Sequence, residues 1–329
     1  MRLASGLRPV LHVQRKASVA SQLRFSSFIW QPHLEQFKLA VRHHLPSDGK
    51  GVVLVTEWHP SDNVLVELLH RHFPAIFAGM HLVAIDTMHL FPETLDCARR
   101  METKYGKEAR WERPAGVTNL QEFEAKFGKA RNMDAVDLHL VSKVEPLGRA
   151  LEKCETDILL TGRRSDQTTQ GDELAIWEEN TRKLNPMAPW SWRDIISYSY
   201  THDVPVSRGH NIVFRAEEKI EAERRHLSDL PWAKVDLGKP FWQATQSELR
   251  GSPAAPLVYV FKSFGDVHDT VPVEQTEGER AGLSVRGKDA EVPHEFLQNS
   301  DPPRRVNVPH VGLELRAPLR KSPAPQPSV

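Results

Sequence analysis

Two adjacent arginines stand after a glycine at the end of an apolar run, in Thr161-Gly162-Arg163-Arg164-Ser165-Asp166-Gln167. The preceding residues, Asp157 to Leu160, are short and apolar enough for a buried strand. Gly162 is expected to turn the chain sharply at the strand's carboxyl end, where open α/β sheets bind ligands. A guanidinium is a planar fork suited to bidentate contact with phosphate or sulfate oxygens. The alternative is a pair of surface arginines neutralised by Asp166 or Glu173. Farther along, Trp190-Ser191-Trp192-Arg193-Asp194 joins two indoles to a helix-opening Ser-x-x-Asp pattern. The indoles read as core packing rather than as a stacking platform.

Nucleophilic sulfur is scarce. The chain of 329 residues holds two cysteines, Cys97 and Cys154. Two thiols neither make a secreted disulfide framework nor ligate an iron–sulfur cluster, which normally takes four thiolates. Both cysteines fall within expected helices and read as small buried apolar residues.

The elements that would position these groups alternate between strand and helix. A helix is expected over Leu34 to Leu45 and a first buried strand over Gly51 to Thr56. Ser61-Asp62 then reads as the cap of a helix through Val64, Leu65, Leu68 and Leu69. The loop Glu57-Trp58-His59-Pro60 therefore sits where a phosphate would rest on a helix N-terminus. His81 to Asp86 is the second strand, ending in Asp86-Thr87. Pro92 and Glu93 suit the first turn of the next helix. A helix is expected over Leu120 to Phe127, and Leu174 to Trp177 reads as an edge strand. Ser191 opens a helix to about Tyr200. Phe214 to Leu230 is dense in Glu, Arg and Lys and reads as a solvated helix. Gly251 to Pro256 reads as a linker. Strands alternating with helices imply a parallel sheet with helices on both faces.

Composition narrows the function classes. A formal net charge of zero argues against a nonspecific nucleic-acid binder. No apolar run approaches the ~20 residues of a membrane-spanning helix. Residues 1–30 are basic, serine-rich and free of acids, the composition of an organellar transit peptide. A mitochondrial destination is preferred over a plastid, with a cytoplasmic protein as the alternative. Residues 299–329 are rich in proline and are expected to form a disordered tail.

Several runs, in order, resemble the phosphoadenylyl sulfate reductases. They are Ile85-Asp86-Thr87 with Leu90-Phe91-Pro92-Glu93-Thr94, Lys143-Val144-Glu145-Pro146-Leu147-Gly148-Arg149-Ala150-Leu151, the Arg163-Arg164 run, and Asn185-Pro186 through Trp190-Ser191-Trp192. Val204-Pro205 still resembles the family. The likeness then resumes at Phe261-Lys262-Ser263-Phe264-Gly265-Asp266-Val267-His268-Asp269-Thr270 and continues through Glu277 to Gly287-Lys288. The paired cysteines of the iron–sulfur branch are absent, with Leu138 and His139 in their place, so the resemblance is to the branch without a cluster. It implies an adenine-nucleotide α-hydrolase-like fold over residues 31–207, an insertion at 208–257, and a returning segment of the same domain at 258–298.

The resemblance also implies an activity: reduction of phosphoadenylyl sulfate to sulfite in sulfate assimilation. No cofactor is bound, thioredoxin is the electron donor, and adenosine 3′,5′-bisphosphate is the leaving group. A homodimer is a state common in that family. The implied anion-binding residues are Arg163, Arg164, Lys143, Arg149, Arg280 and Lys288. Asp86 and Thr87 belong to the implied nucleotide pocket, with His268 near it. Two features depart from the family. Its small Ser-Phe-Gly or Ser-Gly-Gly loop is replaced by Glu57-Trp58-His59, which sets a carboxylate in a phosphate cradle. A protonated His59 offers partial compensation. Its tail cysteine, the nucleophile in Glu-Cys-Gly-Ile/Leu-His, is replaced by Val292 within Glu291-Val292-Pro293-His294. The activity is therefore expected to be weak or lost. The rivals are a nucleotide-binding pseudoenzyme and a nucleotidyl-transfer enzyme, and the latter needs a Ser-Gly-Gly-x-Asp loop that Glu57 to Ser61 does not supply.

Overall fold

The computed structural model describes residues 29–167, 174–221, 233–251, 257–268, 270–281 and 283. The transit-peptide and tail expectations, together with Glu173, Lys288 and Val292, lie outside those residues.

A six-stranded sheet carries the fold, in the order β3-β2-β1-β4-β6-β5. Its strands are β1 (Val52–Thr56), β2 (His81–Ile85), β3 (Arg110–Glu112), β4 (Ile158–Leu160), β5 (Trp177–Glu178) and β6 (Lys183–Leu184). All neighbours pair in parallel except β5, which runs antiparallel to β6 at the edge. β1 is apolar on both sides, as a strand covered on two faces must be. Val52 and Leu54 pack into the larger core, and Val53 joins Val83, Ala150 and Cys154 on the other face.

Helix α1 (Gln31–His44) contributes Leu34, Phe37 and Val41 to the larger core, α2 (Pro60–His72) contributes Leu65, Leu68 and Leu69, and the short α3 (Pro74–Gly79) contributes Ile76 and Phe77. Helix α4 (Pro92–Tyr105) follows β2, and α5 (Leu120–Phe127) follows β3. A composite helix leads into β4. It comprises α6 (Ala135–His139), a π turn over Leu140–Val144, and α7 (Glu145–Lys153). Pro146 accounts for the wide turn, since its ring lacks an N–H and collides with the carbonyl one regular turn back. Helix α8 (Trp192–Thr201) starts on the expected capping box, in which Ser191 and Asp194 exchange hydrogen bonds. The Tyr198 hydroxyl donates to the buried Glu67 carboxylate at 2.6 Å and ties α8 to α2.

The chain then builds a second, antiparallel sheet of four strands, in the order β10-β9-β7-β8. These are β7 (Ile212–Ala216), β8 (Ala233–Asp236), β9 (Leu257–Val260) and β10 (Val273–Glu274), with α9 (Gln246–Arg250) alongside. The solvated helix expected from Phe214 is thereby corrected at its start. Val213 and Phe214 face separate apolar clusters, as alternation in a two-sided strand requires. Arg215 is anchored on the carbonyls of Glu248 and Leu249. The charge density that suggested a helix begins only at Glu217. Strand β7 lies between β8 and β9, so residues 212–216 and the returning segment share one sheet. Phe91, at the start of α4, packs against Phe261 and Phe264 and joins this sheet to the first unit.

Candidate functional site

The order of strands reverses between β1 and β4: β2 and β3 extend to one side of β1, and β4 opens the other. Two loops leave the carboxyl ends of these neighbours and meet. One is Glu57 to Ser61; the other is Thr161 to Gln167. They touch at Gly162. A Cβ there would lie 2.2 Å from Asp62 Oδ1 and 3.0 Å from the Asp62 backbone nitrogen. The glycine is therefore required by close approach rather than by a turn in the left-handed region. Asp62 is buried against this contact and accepts the Glu57 backbone N–H at 3.0 Å. Burial pushes its carboxyl up to about 6, although that N–H and the nearby His59 pull the other way. Gly162→Ala is expected to cost about 1–3 kcal/mol by overpacking, read by denaturant unfolding. Combined with Asp62→Ala it should cost less than the sum of the two; strict additivity would place the clash elsewhere.

The cap of α2 differs from expectation. His59, not Ser61, is the N-cap, and its ring nitrogen Nδ1 accepts the Ser61 backbone N–H at 3.3 Å. An accepting Nδ1 leaves the ring hydrogen on Nε2. Nε2 lies 2.9 Å from the carboxylate of Glu279, a residue of the returning segment. Trp58 is buried with φ at +59°, so a large side chain holds a left-handed conformation that glycine adopts at no steric cost.

Arg164 is completely buried. It pairs with Asp166 at 2.9 Å and, through Nη2, with Glu279. Its guanidinium stands over the Trp192 ring at 5.6 Å. Arg164 therefore pairs with Asp166, one of the partners that the sequence offered, but as a buried rather than a surface cation. Gln167 Nε2 adds a hydrogen bond to Glu279 at 3.1 Å. Burial raises the Glu279 carboxyl, but the His59 hydrogen bond, Arg164 and Gln167 outweigh it and hold it at about 2. Trp190 is core, as expected; Trp192 is only half-buried and belongs to this cluster.

Arg163 behaves differently from its neighbour. Its guanidinium is half-buried and makes no hydrogen bond or ion pair among the described residues. Desolvation lowers its pKa, Glu178 opposes that, and the exposed Arg280 is near enough to lower it further.

A cavity of about 140 Å³ opens beside this cluster, at the carboxyl ends of β1 and β2. Thr87 and Lys143 line it, together with Trp58, Leu90, His139 and Phe264. Lys143 sits in the π turn, a device often found at functional sites. It pairs with the buried Asp266 of the returning segment at 3.6 Å, and Thr87 donates to the same carboxylate. Asp86 does not line the cavity; it binds Arg113 at 3.1 Å and the Met88 backbone N–H. Arg149 is also elsewhere, held by Glu145 and Glu112. His268 stacks edge-on against His89, whose Nδ1 lies 2.9 Å from the Thr87 carbonyl. Sequence reading missed Asp266 and Glu279 as neutralising partners, and it missed His210. That histidine is fully buried, with Nδ1 2.8 Å from the Phe261 carbonyl, and burial lowers it to about 3. Asp266 and Glu279 lie in runs already noted for their resemblance, but nothing in the sequence marks any of the three as a partner, because each pairing depends on contacts far along the chain.

Both thiols are buried. Cys97, in α4, is fully buried and receives a hydrogen bond from Asn63 at 3.4 Å. Burial pushes it up to about 11. Cys154, just past α7, is also buried. Among the described residues, no group of three His, Cys, Asp or Glu could hold a metal ion. No described helix is long and apolar enough to cross a membrane.

A mostly parallel sheet flanked by helices, with a cavity at the carboxyl ends of its central strands, defines a doubly wound α/β protein. Within that class the family model of the phosphoadenosine phosphosulfate reductase domain matches residues 53–272, and the chain belongs to that family. It is 34% identical over 139 residues to a Schizosaccharomyces pombe protein named probable phosphoadenosine phosphosulfate reductase, covering 41% of this chain and 52% of that one. It is 26% identical over 212 residues to the phosphoadenosine phosphosulfate reductase of Saccharomyces cerevisiae, covering 61% and 62%. The chain thus spans between about half and two thirds of the length of these curated relatives. A crystal structure of phosphoadenylyl-sulfate reductase from Candida auris, in a phosphate complex, aligns at a TM-score of 0.45 with 23% identity, over 63% of this chain and 92% of that one.

Proposed function

We propose that this chain binds the 3′-phosphoadenosine nucleotides of its family, phosphoadenylyl sulfate or adenosine 3′,5′-bisphosphate, and does not reduce them. The observation that carries this reading is the state of the thiols: Cys97 and Cys154 are buried in the core while the cleft persists. Reductive release of sulfite needs an ionisable sulfur within bonding reach of the substrate. The family's sulfur is replaced by Val292. Thioredoxin, the donor in that chemistry, then has no covalent intermediate to resolve.

The binding half rests on the cleft. The apolar cavity beside Thr87 suits a base, Lys143 lines it, and Arg163 and Arg280 lie close to each other on the neighbouring loop and the returning segment. Adenosine 3′,5′-bisphosphate at millimolar concentration should raise the melting temperature, because a ligand of the native state stabilises it. Arg163→Ala should remove most of that shift without lowering stability, since its guanidinium carries no ion pair among the described residues. An unshifted melting curve in the unmodified protein would count against nucleotide binding itself.

A further inference from the structure

The seat at the strand reversal already holds an anion, and that anion is part of the chain. Glu279 brings two carboxylate oxygens to three donor groups: His59 Nε2 at 2.9 Å, Gln167 Nε2 at 3.1 Å, and Arg164 Nη2. The side chain is 8% exposed. It arrives on a turn just past β10, where Glu277 N–H bonds the Glu274 carbonyl and Leu283 N–H bonds the Arg280 carbonyl. Lys262 adds positive charge beside the turn through its bond to the Glu277 carbonyl. The same returning segment sends Asp266 to Lys143 and Thr87. Two carboxylates of one segment thus neutralise two cations that a polyanionic ligand would need.

The fit is incomplete in a telling way. Arg164 Nη1 is buried with no hydrogen-bond partner among the described residues. A buried, charged donor left unmade is costly. A tetrahedral oxyanion offers more acceptor oxygens than a carboxylate does, and the spare donor is where a further oxygen would be used. The cavity points the same way. At about 140 Å³ it is smaller than the ~300–1,000 Å³ of ordinary ligand pockets, and Phe264 and Gly265 of the returning segment form part of its wall.

We propose that the turn carrying Glu279 is a built-in occupant of the oxyanion seat, an autoinhibitory contact in which its carboxylate holds the place of a ligand phosphate or sulfate. This rests on the nucleotide-binding reading above. Ligand entry then requires the turn to leave, so the anion affinity of the intact chain is set by competition with Glu279. Charge accounts for the device: His59, Arg164 and Gln167 donate to either occupant, and only one negative group fits between them at a time.

The test is a pair of measurements on the full chain. Adenosine 3′,5′-bisphosphate and inorganic sulfate are titrated calorimetrically into the unmodified protein and into Glu279→Gln, which keeps the shape and removes the charge. The variant is expected to bind both at least tenfold more tightly. In the unmodified protein, adenosine 3′,5′-bisphosphate is expected to speed amide hydrogen exchange at least tenfold over residues 274–281, and this measurement needs no variant to fold. Equal affinities in the two proteins, or exchange unchanged on binding, overturns the proposal and makes the cluster a plain structural ion pair, with nucleotide binding intact. Binding of sulfate and nucleotide by neither protein overturns the nucleotide reading and this inference together.

Discussion

Arg164→Ala is expected to destabilise the fold by about 3–5 kcal/mol, the range for removing one partner of a buried ion pair. Arg164 is completely buried, and its loss strands two carboxylates, Asp166 and Glu279, with reduced compensation. It also removes the cation over Trp192. Denaturant unfolding reads the effect, and a loss below about 1 kcal/mol would mean the pair behaves like an exposed one. A double replacement of Arg163 and Arg164 therefore tests folding rather than binding. The two arginines are neighbours in sequence and differ in pairing, so Arg163→Ala is the variant that tests the proposed binding without removing an ion pair among the described residues.

The same cluster sets an acid-side dependence. Glu279 is held at about 2, below its ordinary value of 4.5. A depressed carboxyl contributes stability that is fully present above its unfolded value and is lost as pH falls through the folded one. Asp62 works in the opposite sense. Its carboxyl is raised to about 6 from 3.8, so its contribution is fully present below the unfolded value and is lost as pH rises through the folded one. In Arg164→Ala the depression of Glu279 shrinks, and the acid-side loss of stability between those two values should flatten.

The parallel sheet was legible because its strands obey local rules. Val52 to Val55 is apolar on both sides, and a strand with two covered faces can be little else. Asn119 and Ser191 cap α5 and α8 with their own side chains, so those helices begin where the residues say they should. β3 was hidden, since Arg110-Trp111-Glu112 has no apolar run, and it exists because β2 offers it a free edge. β6 is two residues long, with Lys183 buried against Glu178. Phe214 was misread because the charges after it outweighed the strand before them in a helical window.

At the site, residue type was legible and residue state was not. Arg163, Arg164 and Lys143 were found by motif. Which of them is neutralised depends on Asp266 and Glu279, which reach them from the far end of the domain. Burial and pairing are tertiary quantities, and no spacing of residues along the chain encodes them.

The unmodified protein is expected to release no measurable sulfite from phosphoadenylyl sulfate in the presence of reduced thioredoxin. The covalent step needs a thiolate. With its thiol at about 11, Cys97 is ionised in on the order of one molecule in ten thousand at neutral pH, and it is fully buried. Cys154 is also buried, past the opposite end of the strand that leads to Arg163. Val292→Cys should restore little alone, because Glu57, exposed at the rim of the cavity, still repels the anion. Val292→Cys with Glu57→Ser repairs sulfur and charge together, and its rate should exceed the sum of the two single variants, as for groups that act as a unit. Sulfite from the unmodified protein would sink this reading. Serine replacements of Cys97 and Cys154 would then show which thiol reaches the substrate, and either answer would require the core around it to open.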